Sequence, residues 1–248
     1  MNLNSIKKKY LNQGYILIKN VYSKKEILQI IDELELIKKK VIKTKIQKNF
    51  HKTSNDKFNT IHNIQKFHKK KKIYEILKKK SLIKIIESLI SGKSKIRNIE
   101  FFLKPRKNGI SAPFHQDNFY WNIIDAKALN VWIACSKSTK KNGGLCYLKG
   151  SHKLGTINHE LSFQKGSSQK INDNVLSKIK FDKSFPTLKA GDCLIHHPEV
   201  IHGSYKNKSN IDRVGLVASF ISKSAKIDKI KLLNYKKNLK KNLKRIYI

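Results

Sequence analysis

His115 and Asp117 stand two positions apart in "FHQDNFYWN", an imidazole and a carboxylate followed at once by three aromatics. Read as a strand, residues i and i+2 project to one face, so both side chains could meet a single metal ion without bending the backbone. A third ligand has to come from elsewhere, and "HHPEVIHGS" offers His196, His197 and His202. Two imidazoles and one carboxylate form the facial ligand set of non-haem Fe(II) sites, which leaves positions open for a cosubstrate and dioxygen. The dyad alone says little, because nine His and nine Asp in 248 residues supply roughly 0.3 such pairs by chance.

Its neighbours in the chain sharpen it. His202 follows Asp117 by 85 positions, and Arg213 follows His202 by 11 and opens the apolar run "RVGLVASFIS". An arginine that begins a buried strand needs an anionic partner, since an unpaired buried charge is costly. Only four of the 54 basic residues are arginines: Arg97, Arg106, Arg213 and Arg245. A dicarboxylate α-keto acid answers both features: its keto-acid end chelates the metal while its far carboxylate meets the guanidinium fork.

The elements that must position these residues are legible in part. Residues 3–13 read as a short basic helix stopped at Gly14, and "YILIKNV" as a strand rich in β-branched residues. Ser23 and Glu26 form a capping box ahead of a helix whose apolar face is Ile27, Ile30, Ile31, Leu34 and Ile37. "SLIKIIESLISG" is a second helix, with Ser81 as its expected N-cap and Gly92 as its stop, while residues 43–72 are polar and without a clear period. From about residue 95 come short strand-like runs broken by Gly, Pro, Asn and Ser: "IRNIEFFLK", "ALNVWIACSK", "GLCYLKG", "DCLIHH" and "RVGLVASFIS". Repetition of that kind predicts an antiparallel barrel or jelly roll. Residues 223–248 return to lysine-rich, weakly helical sequence that either packs outside the barrel or stays mobile.

The formal net charge of +37 would ordinarily point to a polyanion. The charge is almost all lysine, however, in a chain equally rich in isoleucine and asparagine, a pattern of AT-rich codon usage. Arginine forks and a recognisable binding module are lacking. The expectation is therefore no specific nucleic acid. Cys135, Cys146 and Cys193 are an odd, widely spaced set with no CxxC pair, which fits a reduced cytoplasmic protein rather than a disulfide or thiolate-zinc framework. The N-terminus has no apolar h-region and no run approaches the length of a membrane span.

Several motifs together resemble the phytanoyl-CoA dioxygenase family of Fe(II)/2-oxoglutarate oxygenases: "FFLKP", "FHQDNFYW", "ALNVWIACSKSTKKNGGLCYLKGSHKLG", "AGDCLIHHPEVIHGS" and "DRVGLVASF", in the family's order and spacing. "LNQGYILIKNVYSKKEI" is similar to the family's opening strand and helix. The resemblance implies a mainly β, α+β fold built on a double-stranded β-helix. Residues 1–222 would be the catalytic domain, with a helical part (1–94) and a barrel core (95–222), and 223–248 an extension. It implies His115, Asp117 and His202 as iron ligands, Arg213 as the partner of 2-oxoglutarate, and Ser204 as a further contact to the same carboxylate. Trp121 and Trp132 match aromatics lining the cosubstrate or substrate side, with Phe119 and Tyr120 as further wall candidates, and either tryptophan is equally well read as barrel core. A lysine that contacts 2-oxoglutarate in some members has Asn63 at its place in "IHNIQKFH", which puts that contact in doubt. Cofactors would be Fe(II), 2-oxoglutarate and O2, with ascorbate as a reductant, acting on a small-molecule substrate. The competing expectations are a barrel that binds without catalysing and a basic polyanion-binding module. Substrate and oligomeric state are not written in the sequence.

Overall fold

The computed structural model describes residues 2–43, 49–68, 71–164 and 166–246. Parts of the ambiguous stretch 43–72, and the last two residues of the tail, lie outside them.

The chain opens with helix α1 (Leu3–Gln13), which ends where Gly14 takes a left-handed φ of 78° and donates its N–H to Tyr10 O. Strand β1 (Tyr15–Ile18) follows. Helix α2 (Lys24–Lys43) starts at the expected capping box: the Ser23 N–H donates to Glu26 Oε2 at 2.8 Å, and the Glu26 N–H donates to Ser23 Oγ at 3.3 Å. Two reciprocal bonds satisfy orphan donors of the first turn. The ambiguous stretch supplies β2 (Phe50–Lys52), β3 (Phe58–Ile61) and α3 (Lys71–Leu77). Helix α4 (Lys80–Leu89) corrects a boundary, since Ser81 lies inside it with Lys79 at the N-cap, and Ile90 rather than Gly92 closes it. The apolar period outweighed the capping preference of a serine that has no free first turn to serve.

The remaining elements are β4 (Ser94–Lys104), β5 (Ala112–His115), α5 (Asn118–Trp121), β6 (Ala128–Ala134), β7 (Leu145–Leu148), β8 (His159–Gln164), β9 (Ser167–Ile171), α6 (Asp173–Lys178), β10 (Lys183–Ser184), β11 (Cys193–His196), β12 (His202–Ser204), β13 (Arg213–Ser222) and α7 (Lys229–Ile246). The sheets are antiparallel. A seven-stranded sheet runs β1-β11-β6-β13-β4-β3-β2, a four-stranded sheet runs β10-β7-β12-β5, and β8 pairs with β9 as a separate hairpin. The two larger sheets form the expected jelly roll, an α+β fold of the double-stranded β-helix kind.

Period-2 alternation divides the large sheet. One face carries Ile99, Phe101, Leu129, Val131, Ile133, Leu216, Ala218 and Phe220 into a core shared with Ile30, Leu34, Ile37, Leu77, Leu82 and Ile86 of the helices. The other face carries Trp132, Ala134, Leu194 and Val217 toward the small sheet. That inner face holds the candidate site. Helix α7 is not loose among the described residues, because Tyr235 sets its ring 5.9 Å from both Phe119 and Tyr120.

Candidate metal centre

The three residues singled out for metal binding converge. One ligand atom from each of His115, Asp117 and His202 lies within 4.8 Å of the others. Strand register does most of this, because His202 on β12 is the direct cross-strand partner of His115 on β5, and such pairs stand side by side on one face. Their ring centroids are 4.4 Å apart.

Asp117 arrives by a different route from the one its spacing predicted. Strand β5 stops at His115, and Asp117 has helical backbone (φ −63°, ψ −34°) at the head of the one-turn helix α5. The dyad is therefore a strand end plus a turn, and "NFYW" is helical rather than extended. What turns the chain is hydrogen bonding by its neighbours: the Gln116 side chain donates from Nε2 to Gly155 O at 2.8 Å and Glu199 O at 2.6 Å, and the Asn118 backbone N–H donates to Pro198 O at 2.8 Å. These partners lie 39, 83 and 80 positions away in the chain, so tertiary contacts rather than local preference end the strand.

Each imidazole is oriented for coordination. His115 Nδ1 lies 2.8 Å from Pro113 O and His202 Nδ1 lies 3.0 Å from Val200 O. A carbonyl only accepts, so Nδ1 carries the proton and each Nε2 keeps its lone pair for a metal. Burial pushes both imidazoles down to about 4, so they are neutral at pH 7; the His202 charge lowers His115 further, while Asp117 pulls His202 partly back. Burial works against the Asp117 carboxylate, but His202, His196 and His115 outweigh it and hold the group well below its usual range.

His196, one of the three histidines offered as a third ligand, serves the site in another way. It ends β11, but it is 3% exposed and its Nε2 lies 3.1 Å from Asp117 Oδ2. The Tyr147 hydroxyl, 2.9 Å from His196 Nδ1, donates to it, which leaves Nε2–H to donate to the carboxylate. Asn130, the cross-strand partner of His196, adds a bond from Nδ2 to the same oxygen at 2.7 Å. With Oδ2 held twice, Asp117 Oδ1 is left 3.9 Å from His115 Nε2. His197 points elsewhere, its ring against Tyr10 and His152.

A second charged feature lies at the other end of the inner face. Arg213 is 2% exposed and Lys104 is 4% exposed, and they are cross-strand partners on β13 and β4. Burial lowers Arg213 to about 9, and burial followed by the Arg213 charge lowers Lys104 well below the usual lysine range. Lys104 Nζ donates to Ser204 Oγ at 2.6 Å and to Tyr205 O, both neutral. Arg213 Nε has no hydrogen-bond partner among the described residues. Two like charges buried side by side with no anion are a site that asks for one. Spacing alone did not reveal Lys104 of "FFLKP" as part of this pair; its signal was a lysine continuing the inward alternation of β4. Asn63 itself takes a left-handed φ of 55° at the start of a 3-10 turn, with no side-chain cap bond.

Both tryptophans lie on this inner side. The Arg213 guanidinium is 5.2 Å from the Trp132 ring centroid, and the indole fits because residue 215 is glycine: a Cβ there would come within 2.2 Å of it. Trp121 packs with Ile123, Ala128 and Ile221, and the Arg97 guanidinium lies 4.9 Å from its centroid. Ser204 stands beside the cation pair, its Oγ accepting from Lys104 Nζ.

The donor set fits iron, two neutral imidazoles with one anionic oxygen, and the cation pair fits the far carboxylate of 2-oxoglutarate. A metal-binding end and an anion-binding end on one barrel face define the class, a 2-oxoglutarate-dependent non-haem iron oxygenase. The family is given by comparison with known proteins: residues 10–215 match phytanoyl-CoA dioxygenase (PhyH), and the chain belongs to this family. It is 27% identical to a probable phytanoyl-CoA dioxygenase of Caenorhabditis elegans, over 81% of this chain and 69% of that protein. To the peroxisomal phytanoyl-CoA dioxygenase of Homo sapiens it is 24% identical, over 87% and 67%. In fold it is similar to EctD from S. alaskensis, solved with 2-oxoglutarate and 5-hydroxyectoine, with a TM-score of 0.74 and 16% identity over 92% of this chain and 78% of that one. Among the described residues no helix is long and apolar enough to cross a membrane.

Proposed function

We propose that this protein hydroxylates an unactivated C–H bond of a small metabolite, using Fe(II), 2-oxoglutarate and O2, with ascorbate as the reductant that keeps the iron ferrous. The observation that carries this reading is the buried, anion-free pair Arg213 and Lys104 on the same barrel face as the three-ligand cluster. Residues 1–222 are its catalytic domain and 223–248 its extension. The three cysteines are free and buried, which fits a reducing compartment such as the cytoplasm, while the human relative is peroxisomal.

In this reading His115 Nε2, His202 Nε2 and Asp117 Oδ1 hold the metal on one side. When bound, iron and 2-oxoglutarate together couple decarboxylation of the keto acid to insertion of one oxygen atom into the substrate. Lys104, Arg213 and Ser204 receive the distal carboxylate and so fix which way the keto-acid end points. Trp132 covers the guanidinium, and Trp121 and Tyr120 wall the substrate side and keep water out. His196 and Asn130 orient Asp117. A carboxylate at position 117 also fills the coordination position a halide would need, which favours hydroxylation over halogenation.

Anaerobic titration with Fe(II) and 2-oxoglutarate tests this. The expected result is a metal-to-ligand charge-transfer band that disappears when His115→Ala and Asp117→Ala are combined. Absence of the band in the native protein, or its survival in the double variant, overturns the reading. A barrel that only binds would show the band but release no succinate in air with a metabolite pool present, whereas a hydroxylase releases succinate along with a product carrying one added oxygen.

A further inference from the structure

Strand β4 breaks its alternation at one point, beside Trp121. In its pairing with β13, Ser219 faces Asn98 but Phe220 faces Ile96, so Arg97 is an extra residue in the ladder. A bulge of this kind re-aims a side chain, and bulges gather beside functional sites. Here it turns Arg97 away from the helix-side core, which keeps Ile96 and Ile99, and sets its guanidinium over Trp121.

Arg97 is exposed; its carbonyl accepts from Gln65 Nε2 at 3.4 Å, while its guanidinium lies over the face of Trp121. Burial lowers its pKa, while Glu100 and the metal ligand Asp117 lie near enough to raise it. Glu100 is already engaged, with His62 Nδ1 at 2.7 Å from its Oε1. On the neighbouring residue, Asn98 Oδ1 accepts from Gln65 Nε2 at 2.7 Å, which leaves the Asn98 amide donors free. The bulge thus offers a planar cation and an amide donor within the field of an iron ligand. In a chain with four arginines among 54 basic residues, a fork placed over an indole is a specific choice, since lysine cannot stack and bond in this planar way.

We propose that Arg97, with Asn98 and the face of Trp121, is the substrate-anchoring subsite, and that the substrate carries a carboxylate or phosphate group that docks on this guanidinium. This rests on the oxygenase reading above and narrows its substrate class to small anionic molecules. The anion and the oxidised carbon belong to one compact molecule, because Asn98 pairs with Ser219, Ser219 pairs with Asn130, and Asn130 bonds Asp117.

The test uses protein loaded anaerobically with Fe(II) and 2-oxoglutarate, so that Lys104 and Arg213 are occupied, at about 0.15 M salt to screen the lysine surface. Butyl phosphate, butyrate and butanol are titrated in turn, following the charge-transfer band and indole emission. The expected result is that at least one anion perturbs both signals with a half-saturation about tenfold below that of butanol, equivalent to about 1.4 kcal/mol. The better of the two anions separates a phosphate subsite from a carboxylate one. Arg97→Gln is expected to erase the preference and Arg97→Lys to keep part of it, both with unchanged half-saturation by 2-oxoglutarate. Equal response to anion and alcohol, no response to any probe, or a preference that survives Arg97→Gln overturns the proposal. Failure of the oxygenase reading is a separate result, a missing band before any probe is added, and indole emission then still reports on the anion.

Discussion

Strands β4 and β13 each present two faces, one wholly apolar and one that also carries charge. Toward the helices they offer Ile99, Phe101 and Leu103 beside Leu216, Ala218 and Phe220, all apolar. Toward the small sheet the same strands offer Asn98, Glu100 and Lys104 beside Arg213 and Ser219, with the apolar Phe102 and Val217 among them. Burial of the first face stabilises the protein through apolar area removed from water. Burial of the second opposes stability, because Lys104 and Arg213 are desolvated cations with no anion between them. The difference teaches that one face of the sheet is there to hold the fold, and the other holds charges that only a ligand would relieve.

The largest effect on this contrast is expected on the helix side. Phe101→Ala, at a fully buried position, should lower unfolding free energy in urea by about 3–5 kcal/mol. Next is Arg213→Met on the inner face. It should weaken 2-oxoglutarate binding by about 3 kcal/mol, on the order of a hundredfold, read from the half-saturation of the charge-transfer band. Its unfolding midpoint should hold steady or rise, since two buried like charges become one. If Arg213→Met unfolded as easily as Phe101→Ala, the two faces would not differ in the way described.

A third effect is expected in acid. His115 and His202 fall from 6.5 to about 4 on folding, so as pH drops below 6.5 the unfolded chain takes up protons before the folded one does. Metal-free protein should therefore be most stable above about 6.5 with respect to these groups and lose stability progressively down to about 4. Bound Fe(II) competes with the protons, so the loaded protein should denature at lower pH. Coincident acid curves for the two forms, followed by circular dichroism, would argue against neutral buried ligands.

Much of this was legible in the chain. The capping box at Ser23 and Glu26, the stop at Gly14, and the strand-rich character beyond residue 95 all follow from local preference. The types and order of His115, Asp117, His202, Arg213 and Ser204 are likewise a property of the sequence. Asp117 was read on a strand because period-2 spacing cannot register that Gln116 and Asn118 tie the backbone into a turn. Lys104 and Asn130 went unassigned, and His196 was not linked to Asp117, for a related reason: each is a polar residue in an apolar run, and its partner is 109, 13 and 79 positions away in Arg213, Asp117 and Asp117, taken in the order Lys104, Asn130, His196.

The sequence by itself therefore determined which chemistries were available, through the residue types present, their order and the alternation that sorts them onto faces. The tertiary structure decided which of them meet: His115 with His202 and Lys104 with Arg213 by cross-strand register, Asp117 with His196 and Asn130 by a turn, and Arg97 with Trp121 by a bulge. Register and bulge position are set by pairing between strands distant in the chain, so no short-range pattern carries them.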